Sequence, residues 1–291
     1  MRSEKILMKF VHSCFIYIMK SLKTPLRYPG GKSRATKYLT PLFPTDIEDY
    51  REPFIGGGSV AIEFTKQYPH IDVWVNDLYE PLVNFWKVLQ SDGPSLQGEL
   101  LNYKAEHDTP EKAKELFLNS KEIINDRKAN NEDRAVAFYI VNKCSFSGLT
   151  ESSSFSKQAS VSNFSVRGIE KLTGYSEIIK NWMITNLSYE EMLIGTPDTF
   201  IYLDPPYDIK DNLYGKKGEM HKKFDHDLFA QRLDSCDSNC MISYNSDLCV
   251  RNRFKDWYST TYELTYTMRS VGDYMQDQKD RAELLLFNYE V

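Results

Sequence analysis

The chain has 291 residues, 41% of them apolar and 13% aromatic, which excludes intrinsic disorder and allows one substantial core plus an inserted lobe. Its formal net charge of −5 excludes a uniformly basic nucleic-acid coat, so any phosphate contacts must come from local patches. Ile6 through Met19 is largely apolar, but Lys9 and His12 interrupt it, no small-residue cleavage site follows, and it is too short to cross a bilayer as a helix. Residues 1–18 are therefore expected to be an N-terminal extension, or an extra helix, outside the main fold, and no membrane contact is expected.

The segment Lys23 to Arg34 carries Tyr28-Pro29-Gly30-Gly31-Lys32-Ser33. Its end imitates a phosphate-binding loop, but that loop needs a glycine five residues before Gly31, and Leu26 stands there, so a nucleotide triphosphatase is rejected. What remains is a turn that opens a helix, with Lys32 near its start and free amides suited to an anionic or carboxylate group.

Residues 49–90 read as strand, helix, strand, helix. Arg51-Glu52-Pro53-Phe54-Ile55-Gly56-Gly57-Gly58 precedes a helical apolar pattern (Val60, Ala61, Phe64), then a strand Ile71–Val75 that ends at Asn76-Asp77. A glycine-rich turn with an acid about 20 residues further on is the logic of a nucleotide cofactor site, the acid binding ribose hydroxyls. Ser59 and Ala61 break the strict dinucleotide spacing, which points to a cofactor with ribose and adenine but no pyrophosphate. S-adenosylmethionine meets those requirements; a tight turn without ligand is the alternative.

Between about 91 and 180 the period changes. Glu111–Asn125 and Glu132–Val141 read as helices, followed by a Ser/Gly-rich loop from Lys143 through Arg167. Lys143, Ser145, Ser147, Ser153, Asn163 and Arg167 offer hydrogen bonds to base edges or phosphates, as many polar loops do. Strand patterns return at Trp182–Leu187, Thr199–Asp204, Met241–Tyr244, Thr261–Met268 and Ala282–Tyr289. Alternating strands and helices predict an α/β fold with a doubly wound, mainly parallel sheet, its last two strands an antiparallel hairpin at one edge.

Asp204-Pro205-Pro206-Tyr207 ends a continuous apolar run, Thr199–Leu203. The prolines fix two φ angles and remove two amide donors, so the turn exposes carbonyl oxygens at low cost. Asp204 and the Pro205 carbonyl can accept both hydrogens of one amino group while Tyr207 stacks on the attached ring, which describes a site for a nucleic-acid base. A strand-ending turn capped by a half-buried tyrosine is the plain alternative. Beyond it lie Lys210, Lys216, Lys217, Lys222 and Lys223, and further on Arg251, Arg253 and Lys255; each cluster reads as a phosphate patch or as a solvated face. The cysteines (Cys14, Cys144, Cys236, Cys240, Cys249) lack the spacing of a zinc set, so no metal and reduced cytoplasmic thiols are expected.

In their order, Tyr28-Pro29-Gly30-Gly31-Lys32, Glu52-Pro53-Phe54-Ile55-Gly56-Gly57-Gly58 and Asp204-Pro205-Pro206-Tyr207 resemble the alpha-group, Dam-like DNA adenine N6-methyltransferases. The resemblance implies a methyltransferase sheet with one reversed strand, formed by 19–90 and 181–291, and a mostly helical target-recognition lobe at 91–180. It also implies S-adenosylmethionine held or bordered by Tyr28, Lys32, Asp77 and Asp204, with Phe54, Gly56 and Gly58 shaping the cleft. Ser188 and Tyr189, after the strand ending at Leu187, either flank the cofactor adenine or simply cap a helix. The substrate would be an adenine flipped from double-stranded DNA onto Asp204, Pro205, Pro206 and Tyr207, and the enzyme a monomer or weak dimer. Apart from the resemblance, Lys143, Arg167, Lys216, Lys217, Lys222 and Lys223 are the candidate DNA contacts. The same chemistry on RNA adenine or a protein amide, or a silent DNA-binding relative, stands as the rival reading.

Overall fold

A computed structural model describes residues 21–146, 148, 153–207, 224–263 and 282–291. The expected extension 1–18, Cys14, Ser147, Lys210, Lys216, Lys217, Lys222, Lys223 and positions 264–268 of one expected strand lie outside the described residues. By compactness the chain forms two units: the described parts of 1–33, 56–70 and 79–184 make the first, and those of 34–55, 71–78 and 185–291 the second.

A seven-stranded sheet runs in the order β3-β2-β1-β4-β5-β7-β6. Its strands are β1 (Asp49–Glu52), β2 (Asp72–Asn76), β3 (Met183–Thr185), β4 (Thr199–Leu203), β5 (Asn239–Asn245), β6 (Tyr258–Glu263) and β7 (Ala282–Phe287). β1 pairs in parallel with both β2 and β4, and β4 pairs in parallel with β5. β7 is antiparallel to β5 and to β6, so it runs against both of its neighbours, and β6 forms one edge. Every residue of β4 is buried, as expected for a central strand covered on both faces. Chain order runs outward from β1 on one side and from β4 on the other, so the sheet changes direction between these two strands. In such sheets ligands gather beyond the carboxyl ends of the strands at that switch point.

Within the second unit the alternation of each strand feeds two cores. On one face Ile201, Leu203, Ile242, Tyr244, Leu284 and Leu286 pack under α9 (His226–Asp234) and α10 (Leu248–Arg253) through Phe229, Leu233, Val250 and Phe254. The opposite face carries Phe200, whose ring lies 5.1 Å from Phe43 and 5.5 Å from Tyr50.

The first unit is helical: α2 (Ser59–Gln67), α3 (Glu80–Glu106), α4 (Pro110–Ile123), α5 (Asn131–Cys144), α6 (Lys157–Ser162), α7 (Val166–Ile169) and α8 (Leu172–Ile179). α3 bends at Asp92, whose carboxylate accepts from the Ser95 amide at 3.1 Å and restarts the helix ahead of Pro94. A Cβ on Gly93 would lie 2.4 Å from Ser176 Cβ, so glycine there lets α8 approach. Trp86 packs on Trp182 at 5.9 Å, and Phe85 stacks on Tyr139 at 6.0 Å. Arg134 donates to Glu80 Oε1 at 3.0 Å and to the Ile124 carbonyl at 3.0 Å.

Two expectations need correction. The Ser/Gly-rich stretch is not one loop from Lys143 to Arg167: Lys143 and Cys144 close α5, and α6 and α7 follow. Ser156 and Ser165 start the two short helices by accepting from the Ala159 and Gly168 amides, so serines that read as loop are acting as caps. Nor does the Tyr28–Lys32 turn open directly into a helix. The next helix, α1 (Thr36–Leu39), starts beyond Ala35, which has helical dihedrals and gives no side-chain cap.

Candidate active site

The two glycine motifs belong to the helical unit. The Gly31 amide donates to the Tyr28 carbonyl at 3.0 Å, closing a turn in which Gly30 takes φ 71°. Lys32 is only 2% exposed and its Nζ donates to the Gly30 carbonyl at 2.9 Å. It therefore braces the turn from inside, where the sequence suggested a position near a helix start. Gly56 and Gly58 have φ 45° and 68°, and Gly58 is the N-cap of α2. A Cβ at Gly56 would meet Tyr28 Cε1 at 2.8 Å, so the phenol ring fills the space the missing side chain leaves. Thr24 Oγ1 donates to the Gly57 carbonyl at 2.5 Å and Trp86 Nε1 to the Gly56 carbonyl at 3.2 Å. The two glycine motifs, distant in sequence, are thus one packed element.

The sheet unit carries its own candidate residues, at the carboxyl ends of β4, β1 and β2. β4 runs out into Asp204, half-buried, then buried Pro205, then half-buried Pro206 and Tyr207. Tyr207 donates its hydroxyl to Glu283 Oε2 at 2.5 Å, and its ring stacks on Tyr244 at 5.8 Å and 24°. Tyr244 in turn shares a hydrogen bond with His226 Nδ1. Burial, followed by the charge of Asp204, pushes the Tyr202 phenol up; burial and then Glu283 and Asp204 do the same to Tyr262. Asp204 is thus set among phenols that stay protonated.

Beyond β1, Phe54 stacks on Tyr189 at 5.5 Å and 30°, with Phe224 edge-on at 5.9 Å and Phe229 at 6.2 Å. Burial pushes the Tyr189 hydroxyl up to about 12. Ser188 precedes the short 3₁₀ turn Tyr189–Met192 without capping it through its side chain; its hydroxyl bonds the Glu190 carboxylate. Asp77, 9% exposed, follows β2 and its carbonyl accepts from Asn186 Nδ2 at 2.8 Å. Its neighbour Asn76 fills all four amide positions: it donates to Pro53 O (3.2 Å) and Leu187 O (3.0 Å) and accepts from Thr185 Oγ1 (2.9 Å) and the Leu187 amide (2.8 Å).

These motifs extend over most of the chain, and the model of D12 class N6 adenine-specific DNA methyltransferases matches residues 28–271. The chain belongs to that family. Among relatives of this methyltransferase, it is 24% identical to the type II methyltransferase M.MjaIII of Methanocaldococcus jannaschii, over 92% of this chain and 99% of that protein. It is 24% identical to M1.LlaDCHI of Lactococcus lactis subsp. cremoris, covering 92% and 96%, and 21% identical to M.CviBI of Paramecium bursaria Chlorella virus NC1A, covering 92% and 100%. It is an adenine-specific DNA methyltransferase, with a methyl donor as its cofactor and DNA as its substrate.

Among the described residues, the basic side chains differ in their surroundings. Lys143 lies 5.2 Å over the Tyr139 ring, and burial, with the charges of Arg27 and Lys171, brings its amine down to about 8. Arg27 donates to the Ser145 and Phe146 carbonyls at 2.7 and 3.0 Å. Arg167 is exposed on α7, whereas Arg253 is paired with Asp227 at 2.5 Å and so is partly neutralised as a phosphate contact. Among the described residues no cluster of His, Cys, Asp and Glu could hold a metal, and no helix is long and apolar enough to cross a membrane.

Sequence reading missed Glu283, Tyr244, His226 and Asn76. Glu283 left a signal: it is the one charge in Ala282–Phe287, and a carboxylate 7% exposed inside an apolar strand needs a partner. The others are ordinary residue types that gain a role only through contacts made in the fold.

Proposed function

We propose that this methyltransferase moves a methyl group from S-adenosylmethionine to N6 of an adenine turned out of duplex DNA at a defined short sequence. The observation that carries this reading is the position of Asp204-Pro205-Pro206-Tyr207 at the carboxyl end of β4, next to β1, where the strand order reverses. The chain's residues fit the cofactor. Gly56 and Gly58 hold positive φ at the start of α2, Asp77 follows β2 as a ribose partner, and Phe54 with Tyr189 presents an aromatic face for a purine. S-adenosylmethionine supplies a methyl already activated by a positively charged sulfur.

An exocyclic amine conjugated to a purine is a poor nucleophile, so the residues around it must localise its lone pair. In this reading Asp204 and the Pro205 carbonyl accept its two hydrogens and draw the nitrogen toward a tetrahedral shape, while Pro206 stiffens the turn. Tyr207, its ring plane set by Glu283 and Tyr244, stacks on the flipped base. Stacking of this kind contributes roughly 1–3 kcal/mol per base and offsets part of the few kcal/mol of unstacking. Alignment of the reactants supplies much of the rate. Tyr28 and Lys32 support the glycine turn that borders the cofactor.

The lobe at 91–180 reads the target, with Lys143 and Arg167 on the phosphates together with Lys216, Lys217, Lys222 and Lys223. The type II names of the relatives support a modification role opposite a restriction enzyme. Expression in a methylation-deficient host, followed by genome-wide N6-methyladenine mapping, tests activity and target together. Methylation at one recurring short sequence is expected, and an unmodified genome would refute the proposal.

A further inference from the structure

The mechanism leaves unused a pair of thiols where α9 leads into β5. Cys236 follows the end of α9, and Cys240 is the second residue of β5, paired in register with Ile201 of β4. Their sulfurs are 3.8 Å apart, with the Cys240 thiol donating to Cys236 Sγ, and the Cys236 thiol donates to the Leu193 carbonyl at 3.1 Å. The two differ in access: Cys240 is fully buried, whereas Cys236 is half-buried. They differ in anchoring too. The Cys240 amide donates to Asn288 Oδ1 at 2.7 Å and its carbonyl accepts from the Asn288 amide at 3.3 Å, while Cys236 sits in the turn between the elements. A small reagent thus meets Cys236 first, and the fixed neighbour behind it is a second sulfur.

We propose that Cys236 and Cys240 form a redox-active dithiol, with Cys236 as the entry thiol for a low-molecular-weight disulfide and Cys240 as the resolving thiol. In the first step the Cys236 thiolate attacks one sulfur of the reagent, the reagent's S–S bond breaks, and one reagent thiolate leaves. In the second, Cys240 gives up its proton and attacks Cys236 Sγ, displacing the second reagent thiolate. Two protein thiols are oxidised by two electrons, one reagent disulfide is reduced to two thiols, and the two protein protons end on them. The turn must bring the sulfurs from 3.8 Å to a bonded separation of about 2.05 Å.

The shared hydrogen bond assigns the roles. It is the main cause that brings the Cys236 thiol down to about 6, and the same bond, with burial, holds the Cys240 thiol well above its ordinary value. Attack therefore starts at Cys236, and its reaction removes the bond that kept the proton on Cys240.

The test uses the full chain treated with oxidised glutathione, alkylated, and digested with trypsin and chymotrypsin so that cleavage at Tyr244 separates exposed Cys249 from the pair. In the wild type, oxidised Cys236 is expected mainly as the Cys236–Cys240 disulfide, while Cys249 stops at a mixed disulfide with glutathione. In Cys240→Ser, or Cys240→Ala where serine is poorly tolerated in the core, Cys236 should stop at the mixed disulfide. In Cys236→Ser, Cys240 should stay reduced. A wild-type Cys236 that accumulates as mixed disulfide as it does in the Cys240 variants would overturn the proposal. So would a Cys236 that stays unmodified while Cys249 reacts.

Discussion

The glycine turn at 56–58 and the proline turn at 204–207 each follow a parallel strand, yet they are built in opposite ways. The first is defined by what is missing: no Cβ at a φ of 45°, with the Tyr28 ring lying where one would be. The second is defined by what is present: a carboxylate, two rings without amide hydrogens, and a phenol tied to Glu283. Steric demand fixes residue identity in one; under the proposed function, chemical demand fixes it in the other. Substitutions should therefore fail differently, through fold and cofactor affinity in the first turn and through turnover in the second.

The largest effect is expected at the proline turn. Asp204→Ala should lower methyl transfer on the order of 10²–10³ or more, the scale for losing one preorganised polar contact. DNA affinity, measured by gel shift, should stay within a few-fold. A variant that loses DNA binding and turnover together would erase the contrast between the two turns.

Gly56→Ala comes next. It imposes a left-handed backbone on alanine, costing about 1–3 kcal/mol, and drives its methyl into Tyr28. Calorimetry should show at least a tenfold weaker affinity for S-adenosylmethionine with a lowered melting temperature. Pairing it with Tyr28→Ala separates the two causes: partial recovery assigns part of the loss to the ring, and no recovery assigns it to φ alone.

A smaller effect is expected from Glu283→Gln, which keeps the shape but removes the charge that accepts the Tyr207 hydroxyl, a bond of roughly 1.5–3 kcal/mol. KM for unmethylated host DNA should rise several-fold while KM for the methyl donor holds. Tyr207→Phe should add little on top of it. Additive losses in the double variant would show that the two side chains act separately.

The smallest concerns pH. Lys143 is charged below its value of about 8 and neutral above it, so its attraction for phosphate is present at pH 7 and lost as pH rises through 8. DNA affinity should weaken modestly between pH 7 and 9, and Lys143→Met should flatten that part of the profile.

Much of this was legible in the sequence, for identifiable reasons. β4 is a continuous apolar run stopped by prolines, so the strand and the turn that ends it could be read directly. β6 is polar and almost wholly exposed at the sheet edge, so its pattern was weak: Tyr258–Glu263 starts earlier than the Thr261 expected. Serines hid α6 and α7 because the same residue type serves loops and caps. The meeting of Tyr28 with Gly56, the four bonds of Asn76 and the bond from Tyr207 to Glu283 all join positions far apart in the chain, which local pattern does not encode.

The most direct measurement is the N6-methyladenine content, by mass spectrometry, of genomic DNA from a methylation-free host expressing either the wild type or Asp204→Ala. Abundant N6-methyladenine with the wild type and a background level with the variant, at equal soluble expression, is the predicted result. Equal methylation by both proteins, or a modified base other than N6-methyladenine, would contradict it.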